Sequence, residues 1–248
     1  MKDQSSENNS LKNIPPENNP TNNQSQKNNP SENQIILIDK PAEISSFGVV
    51  AKIRGKLKQE FNHKVKVGHT GTLDPFATGL LILLTGKMTK KSNEFLKLDK
   101  IYEATLKLGY TSTTGDPEGE ITESLATNPK KYPPQLEDIK SALDSFIGEI
   151  EQTPPKFSAI KINGRRAYKL ARENKEFEIP SRKVKIYNIE LLSYDYPELK
   201  IRTHVSSGTY IRTLAEDIGK KLGTGAYLIA LRRTKIGTYD IENAKKLS

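Results

Sequence analysis

The chain is expected to be an α+β protein built around a mixed, mainly antiparallel sheet. Three observations point there. Runs with strand character and runs with helical apolar spacing interleave irregularly, unlike the regular alternation of a parallel α/β sheet. No internal repeat is evident in the 248 residues. Beyond an Asn-rich opening, roughly two hundred residues make up one body, ample for a single domain with a real core.

The elements follow in order. Residues 1–33 are mostly Asn, Ser, Pro and Glu, with almost no aliphatic side chains. Such a segment cannot bury enough apolar surface to offset its ordering entropy, so it is expected to be a disordered tail ahead of a body at 34–248. Ile35 to Asp39 reads as a buried strand entering the fold. Val49, Val50, Ile53, Leu57 and Phe61 then fall at helical spacing behind Ser45 and Ser46, which are good N-caps. Two β-prone runs, Lys64 to Val67 and Leu80 to Leu84, flank a turn. Tyr102, Ala104, Leu106 and Leu108 alternate with Glu103, Thr105 and Lys107, as on a half-buried strand. Pro133-Pro134 introduces an amphipathic helix marked by Leu136, Ile139, Leu143, Phe146, Ile147 and Ile150. Asn163-Gly164 is a tight-turn signal between the Ile160–Ile162 run and a helical stretch from Arg165 to Arg172. Val184 to Leu192 and Leu199 to Val205 look like strands. Ile211, Leu214, Ile218 and Leu222 mark a last helix that Gly223 can cap.

Composition narrows the function classes. The net charge is +9, and the few acids and lysines of residues 1–33 nearly cancel, so the basicity belongs to the body. A basic body suits a polyanionic partner, of which nucleic acid is the commonest. There is no cysteine, which excludes disulfides and thiolate metal sites, and three histidines (His63, His69 and His204) are too scattered to form a ligand cluster. No apolar run reaches bilayer-spanning length and no signal-peptide core opens the chain, so a cytoplasmic location is expected.

The most informative segment is Gly68-His69-Thr70-Gly71-Thr72-Leu73-Asp74-Pro75-Phe76-Ala77-Thr78-Gly79-Leu80-Leu81. It places one carboxylate in a turn fenced by glycines and a proline, between two β-prone runs. Pro75 fixes its own φ and biases Asp74 toward an extended backbone. A carboxylate held that way can be aimed at a ligand, although Asp-Pro is also ordinary turn chemistry.

This run resembles the catalytic motif of the TruB-type tRNA pseudouridine synthases. Further blocks match that family in its order: Lys40-Pro41, Ser45 to Val50, Thr85 to Lys90, Tyr102 to Gly109, Thr111 to Asp116, Pro154 to Lys161, Ser206 to Leu214 and Ala230 to Arg233. The resemblance runs from about Ile35 to the C-terminus. It implies a pseudouridine synthase fold, with a bent antiparallel sheet flanked by helices around a central cleft. It also implies an insertion at about residues 122–177 that grips an RNA stem-loop.

The implied reaction isomerises uridine to pseudouridine in the T-loop, position 55, of tRNA. No cofactor and no metal is required for it, and a monomer is expected. Asp74 would be the catalytic carboxylate, Arg212 its charge partner and Tyr102 the residue stacked on the isomerising base. His69, Tyr210, Leu231, Lys90 and Asp116 would surround the substrate, with Asp116 positioning Tyr or Arg side chains and Lys90 holding phosphate. A non-catalytic RNA-binding or RNA-folding protein is the alternative that shares these features. Two departures from the family pattern stand out. Its frequent Gly-x-Thr-Ser is here Glu43-Ile44-Ser45-Ser46, and the small C-terminal RNA-binding domain common among relatives is not expected.

Overall fold

The computed structural model describes residues 31–124, 133–162, 164–173 and 175–247. Its first strand, β1 (Ile35–Lys40), leads into helix α1 (Ser46–Phe61), whose N-cap Ser45 accepts a hydrogen bond from the Gly48 N–H. The strands β2 (Val67–His69) and β3 (Thr78–Thr85) follow, then a 3-10 turn (Gly86–Lys91), the short helix α2 (Ser92–Leu96) and strand β4 (Lys100–Leu108). A small hairpin pairs β5 (Tyr110–Ser112) with β6 (Ile121–Glu123).

After helix α3 (Leu136–Asp144) come β7 (Gly148–Gln152), the hairpin of β8 (Lys161–Ile162) and β9 (Arg165–Arg166), and the short helix α4 (Ala167–Arg172). Two long strands, β10 (Arg182–Asp195) and β11 (Glu198–Val205), precede helix α5 (Ile211–Leu222). Gly223 caps α5 in the left-handed conformation. The strand β12 (Ala226–Ile236), then β13 (Tyr239–Asp240) and β14 (Lys245–Lys246), complete the described chain.

The main sheet runs β14-β1-β3-β12-β4-β11-β10-β7, with β2 on β3 and β13 on β12. Only β1–β14 and β12–β3 are parallel among its pairings, so the sheet is mixed and mainly antiparallel, and helices flank it. Strand β3 explains why an unbroken apolar run can be a strand. Leu81 and Leu83 pack under α1, whereas Leu80, Ile82 and Leu84 pack with Phe95 and Ile236. Successive side chains point to opposite faces and both faces are covered. The largest apolar cluster lies where α3 and α5 cover β4, β10, β11 and β12. No helix among the described residues is long and apolar enough to cross a membrane.

Several expectations are corrected. The helix expected to continue to Ile150 ends at Asp144. Gly148 has φ 117°, and Glu149-Ile150-Glu151-Gln152 alternates as a strand, so the apparent helical spacing of Ile147 and Ile150 is coincidental. Arg165 and Arg166 belong to β9, so the helical stretch begins only at Ala167. Glu32 and Asn33, grouped with the tail by composition, join the body: Thr85 Oγ1 donates to the Glu32 carbonyl at 2.5 Å and Lys87 N–H to Asn33 Oδ1 at 2.6 Å. Residues 1–30 of the expected tail lie outside the described residues, as do residues 125–132, 163 and 174 within the expected insertion.

Candidate active site

The loop that carries Asp74 is pinned from three sides. The Ser46 hydroxyl, in the first turn of α1, donates to the Leu73 carbonyl at 2.9 Å and accepts from the Leu73 N–H at 2.8 Å. Lys40, fully buried at the end of β1, donates to the carbonyls of Pro41, Ile44 and Pro75 at 2.8, 2.7 and 3.1 Å. Three acceptors match the three N–H bonds of an ammonium. On the third side, Arg233 is buried on β12 and donates to the carbonyls of Leu80 and Gly71 at 2.8 and 3.1 Å. Gly79 is required where β3 meets β12: with φ 106°, a Cβ there would lie 2.3 Å from the Arg233 carbonyl oxygen.

Asp74 opens into a cleft of about 510 Å³ that is also lined by Tyr102, Asp116, Tyr210, Arg212 and Leu231. Its side chain keeps 32 % of its surface accessible, against 5 % for Arg212. Arg212 Nε stands 3.0 Å from Asp74 Oδ2, and its Nη2 stands 3.5 Å from Oδ1, a two-pronged pairing. The guanidinium also reaches Asp116 Oδ2 at 3.2 Å and donates to the carbonyls of Thr114 and Phe157 at 2.9 and 2.8 Å. Asp116 is itself held by the Thr114 hydroxyl at 2.5 Å and the Glu118 N–H at 3.1 Å. One arginine therefore sits between two carboxylates with its donors directed at fixed acceptors.

Burial raises the Asp74 carboxyl above its ordinary pKa; Arg212 opposes the rise and the like charge of Asp116 adds to it. The guanidinium thus limits the elevation without cancelling it. Burial pulls Lys40 down to about 8, with Asp74 opposing. Lys100, which lines the same cleft, is also lowered to about 8 by burial and by Arg233. Glu118 is raised by burial and by the neighbouring Asp116 and Asp74.

The site residues expected from sequence divide into two groups. Asp74, Tyr102, Tyr210, Arg212, Leu231 and Asp116 come together at one cleft. His69 and Lys90 do not line it. His69, on β2, accepts from the Gly71 N–H at 3.4 Å, and burial with Arg233 lowers its pKa. Lys90 is exposed on the 3-10 turn after β3. Sequence reasoning assigned no role to Lys40 or Arg233; their signal was a charge placed beside long apolar runs. Gln152 and Arg182 carried no local signal at all. No group of three or more His, Cys, Asp or Glu is placed to hold a metal ion among the described residues.

Comparison with known proteins identifies the family. The profile described as TruB family pseudouridylate synthase (N terminal domain) matches residues 56–211, and that of the tRNA pseudouridylate synthase B C-terminal domain matches 212–248. A protein of Parabacteroides distasonis named tRNA pseudouridine synthase B is 47 % identical over 210 residues, covering 84 % of this chain and 88 % of that one. A namesake from Francisella tularensis subsp. novicida is 46 % identical over 213 residues, covering 86 % and 68 %. Among solved structures, a chain of a Cbf5-Nop10-Gar1 complex superposes with a TM-score of 0.63 at 31 % identity. That match covers 87 % of this chain and 52 % of the other, so this chain spans about half the length of that neighbour. Continuous relatives across most of the chain and a matching fold leave one assignment: this chain belongs to the TruB family of pseudouridylate synthases.

Proposed function

We propose that this protein isomerises uridine to pseudouridine in tRNA, at the T-loop uridine, with Asp74 as the catalytic carboxylate. The observation that carries the proposal is the cleft-facing Asp74 carboxylate, paired through two oxygens with a buried arginine from a distant part of the chain. In the reaction the N1–C1′ bond breaks, the uracil turns, C5 bonds to C1′, N1 gains a proton and C5 loses one. Nothing is oxidised and no group is imported. Bond breaking develops positive charge at C1′, which an adjacent anion stabilises. Arg212 opposes the upward push of burial on the Asp74 carboxyl, easing its ionisation, and aims it.

The target nucleotide must leave the RNA stack to reach this cleft. Extrusion costs a few kcal/mol, on the order of one stacking interaction lost and recovered against protein. Tyr102 and Leu231 supply apolar wall for the everted base, and Tyr210 a ring with a polar tip. The hairpin of β8 and β9 presents exposed Lys161, Arg165 and Arg166. Together with Tyr168 and Arg172 at the cleft edge, it suits the backbone of an RNA stem-loop. Within this reading the described part of the 122–177 insertion is the RNA grip, Lys90 a peripheral phosphate contact, and the protein a cytoplasmic monomer acting without a cofactor.

Tritium release from tRNA carrying C5-tritiated uridine tests the proposal. Wild-type protein is expected to release tritium in proportion to pseudouridine formed. Binding of the transcript without release would establish the non-catalytic RNA-binding alternative instead.

A further inference from the structure

Gln152 and Arg182 take no part in the chemistry above, yet they stand directly opposite each other in the β7–β10 ladder. Both reach the loop that opens α5. Gln152 is buried, and its amide accepts from the Tyr210 N–H at 2.7 Å while donating to the Tyr210 carbonyl at 3.0 Å. Arg182 lays its guanidinium over the Tyr210 ring, 4.9 Å from the centroid, and donates to the Gly208 carbonyl.

Gly208 has φ 86°, a backbone conformation that favours glycine, and a Cβ there would be in ordinary contact with the guanidinium at 3.4 Å. The Arg182 Nε is buried with no hydrogen-bond partner. The side chain is thus placed by the ring and by one carbonyl, a stacked arrangement that a lysine cannot reproduce.

Tyr210 is the N-cap residue of α5, and Arg212 lies in the first turn. A helix is stiff over one turn, so wherever Tyr210 is held, the origin of the Arg212 side chain is held too. We infer that Gln152 and Arg182 form a cross-strand clamp of positioning residues, which sets Tyr210 directly and the Arg212–Asp74 pair through α5. The inference rests on the proposed isomerase reading for its kinetic consequences, though not for its geometric ones.

The test uses the full chain with Gln152→Glu and Arg182→Lys, each checked by thermal melting. Gln152→Glu keeps the shape and the acceptor for the Tyr210 N–H but sets a carboxylate oxygen against the Tyr210 carbonyl. Arg182→Lys keeps the charge and loses the flat face. Each is expected to lower kcat about ten- to a hundredfold and to leave KM for tRNA within about twofold. Each should also move the acid limb of the kcat–pH profile to higher pH, because a displaced Arg212 offsets less of the burial of Asp74.

A raised KM with kcat and pH profile unchanged would make these side chains RNA contacts and overturn the clamp; so would wild-type behaviour in all three quantities. If Gln152→Glu does not fold, Arg182→Lys decides, being only half buried. A wild-type protein without turnover would remove the isomerase reading alone. The clamp is then decided by crystal structures of wild type and Arg182→Lys, where the Arg212–Asp74 distance, 3.0 Å here, should lengthen and an unchanged distance would refute it.

Discussion

Asp74 and Arg212 form the central ion pair of the candidate site. Their separation of 138 residues in sequence means that the pairing exists only once the sheet is assembled. Arg212 serves two carboxylates and two carbonyls, so its loss is felt beyond one ion pair. Arg212→Gln is expected to reduce kcat about a hundredfold or more and to shift the acid limb upward, as read by single-turnover assays across pH. The sign for stability follows from the raised carboxyl of Asp74. The fold prefers the protonated acid, so ionisation of Asp74 weakens the native state above its folded pKa, and that penalty is relieved as pH falls. Urea titrations from pH 7 toward pH 4 should therefore show wild type gaining stability relative to Asp74→Asn. A constant difference across that range would contradict the assignment.

Among the elements, the loops around Asp74 are where backbone geometry matters most. Glu43 has φ 66°, a left-handed conformation that a side chain adopts at a cost, and its N–H donates to the Pro75 carbonyl at 2.9 Å. The departure from Gly noted in the sequence is thus a departure at a position whose geometry favours Gly. Glu43→Gly is expected to stabilise the protein by about 0.5–1 kcal/mol, whereas Gly79→Ala, driven into the backbone at Arg233, should destabilise it by at least about 2 kcal/mol. Denaturant midpoints measure both.

The same elements show what was legible. The α1 cap at Ser45, the alternation along β4 and the Gly223 cap are local signals, and the structure has all three. Ile150 misled because one apolar residue fits a helical or a strand period equally well when few neighbours constrain it. Strand β12 has no clear local signature, since Tyr227 to Ile236 mixes buried apolar residues with one buried charge, Arg233, and with the partly exposed Arg232 and Lys235. Arg233 is polar by composition and interior by position, because backbone carbonyls from β3 and the Gly71 turn satisfy it. The local pattern shows only a charge beside an apolar run and does not say which carbonyls will satisfy it.

For the whole molecule, the net charge of +9 is expected to act on the phosphates of the proposed RNA substrate. Binding should weaken steeply with salt, log K falling against log salt by about 0.7 for each phosphate contact in single-stranded regions. Replacing Lys161 and Arg165 together by Ala should flatten that slope by about 1.4 while leaving kcat at saturating tRNA unchanged. Equal slopes for wild type and variant would remove the β8–β9 hairpin from the RNA-binding surface. The most direct measurement is pseudouridine mapping of a tRNA transcript treated with wild type or with Asp74→Ala. Wild type should convert the T-loop uridine, and the variant should bind the transcript and leave that uridine intact. Pseudouridine formed at the T-loop by Asp74→Ala would contradict the account.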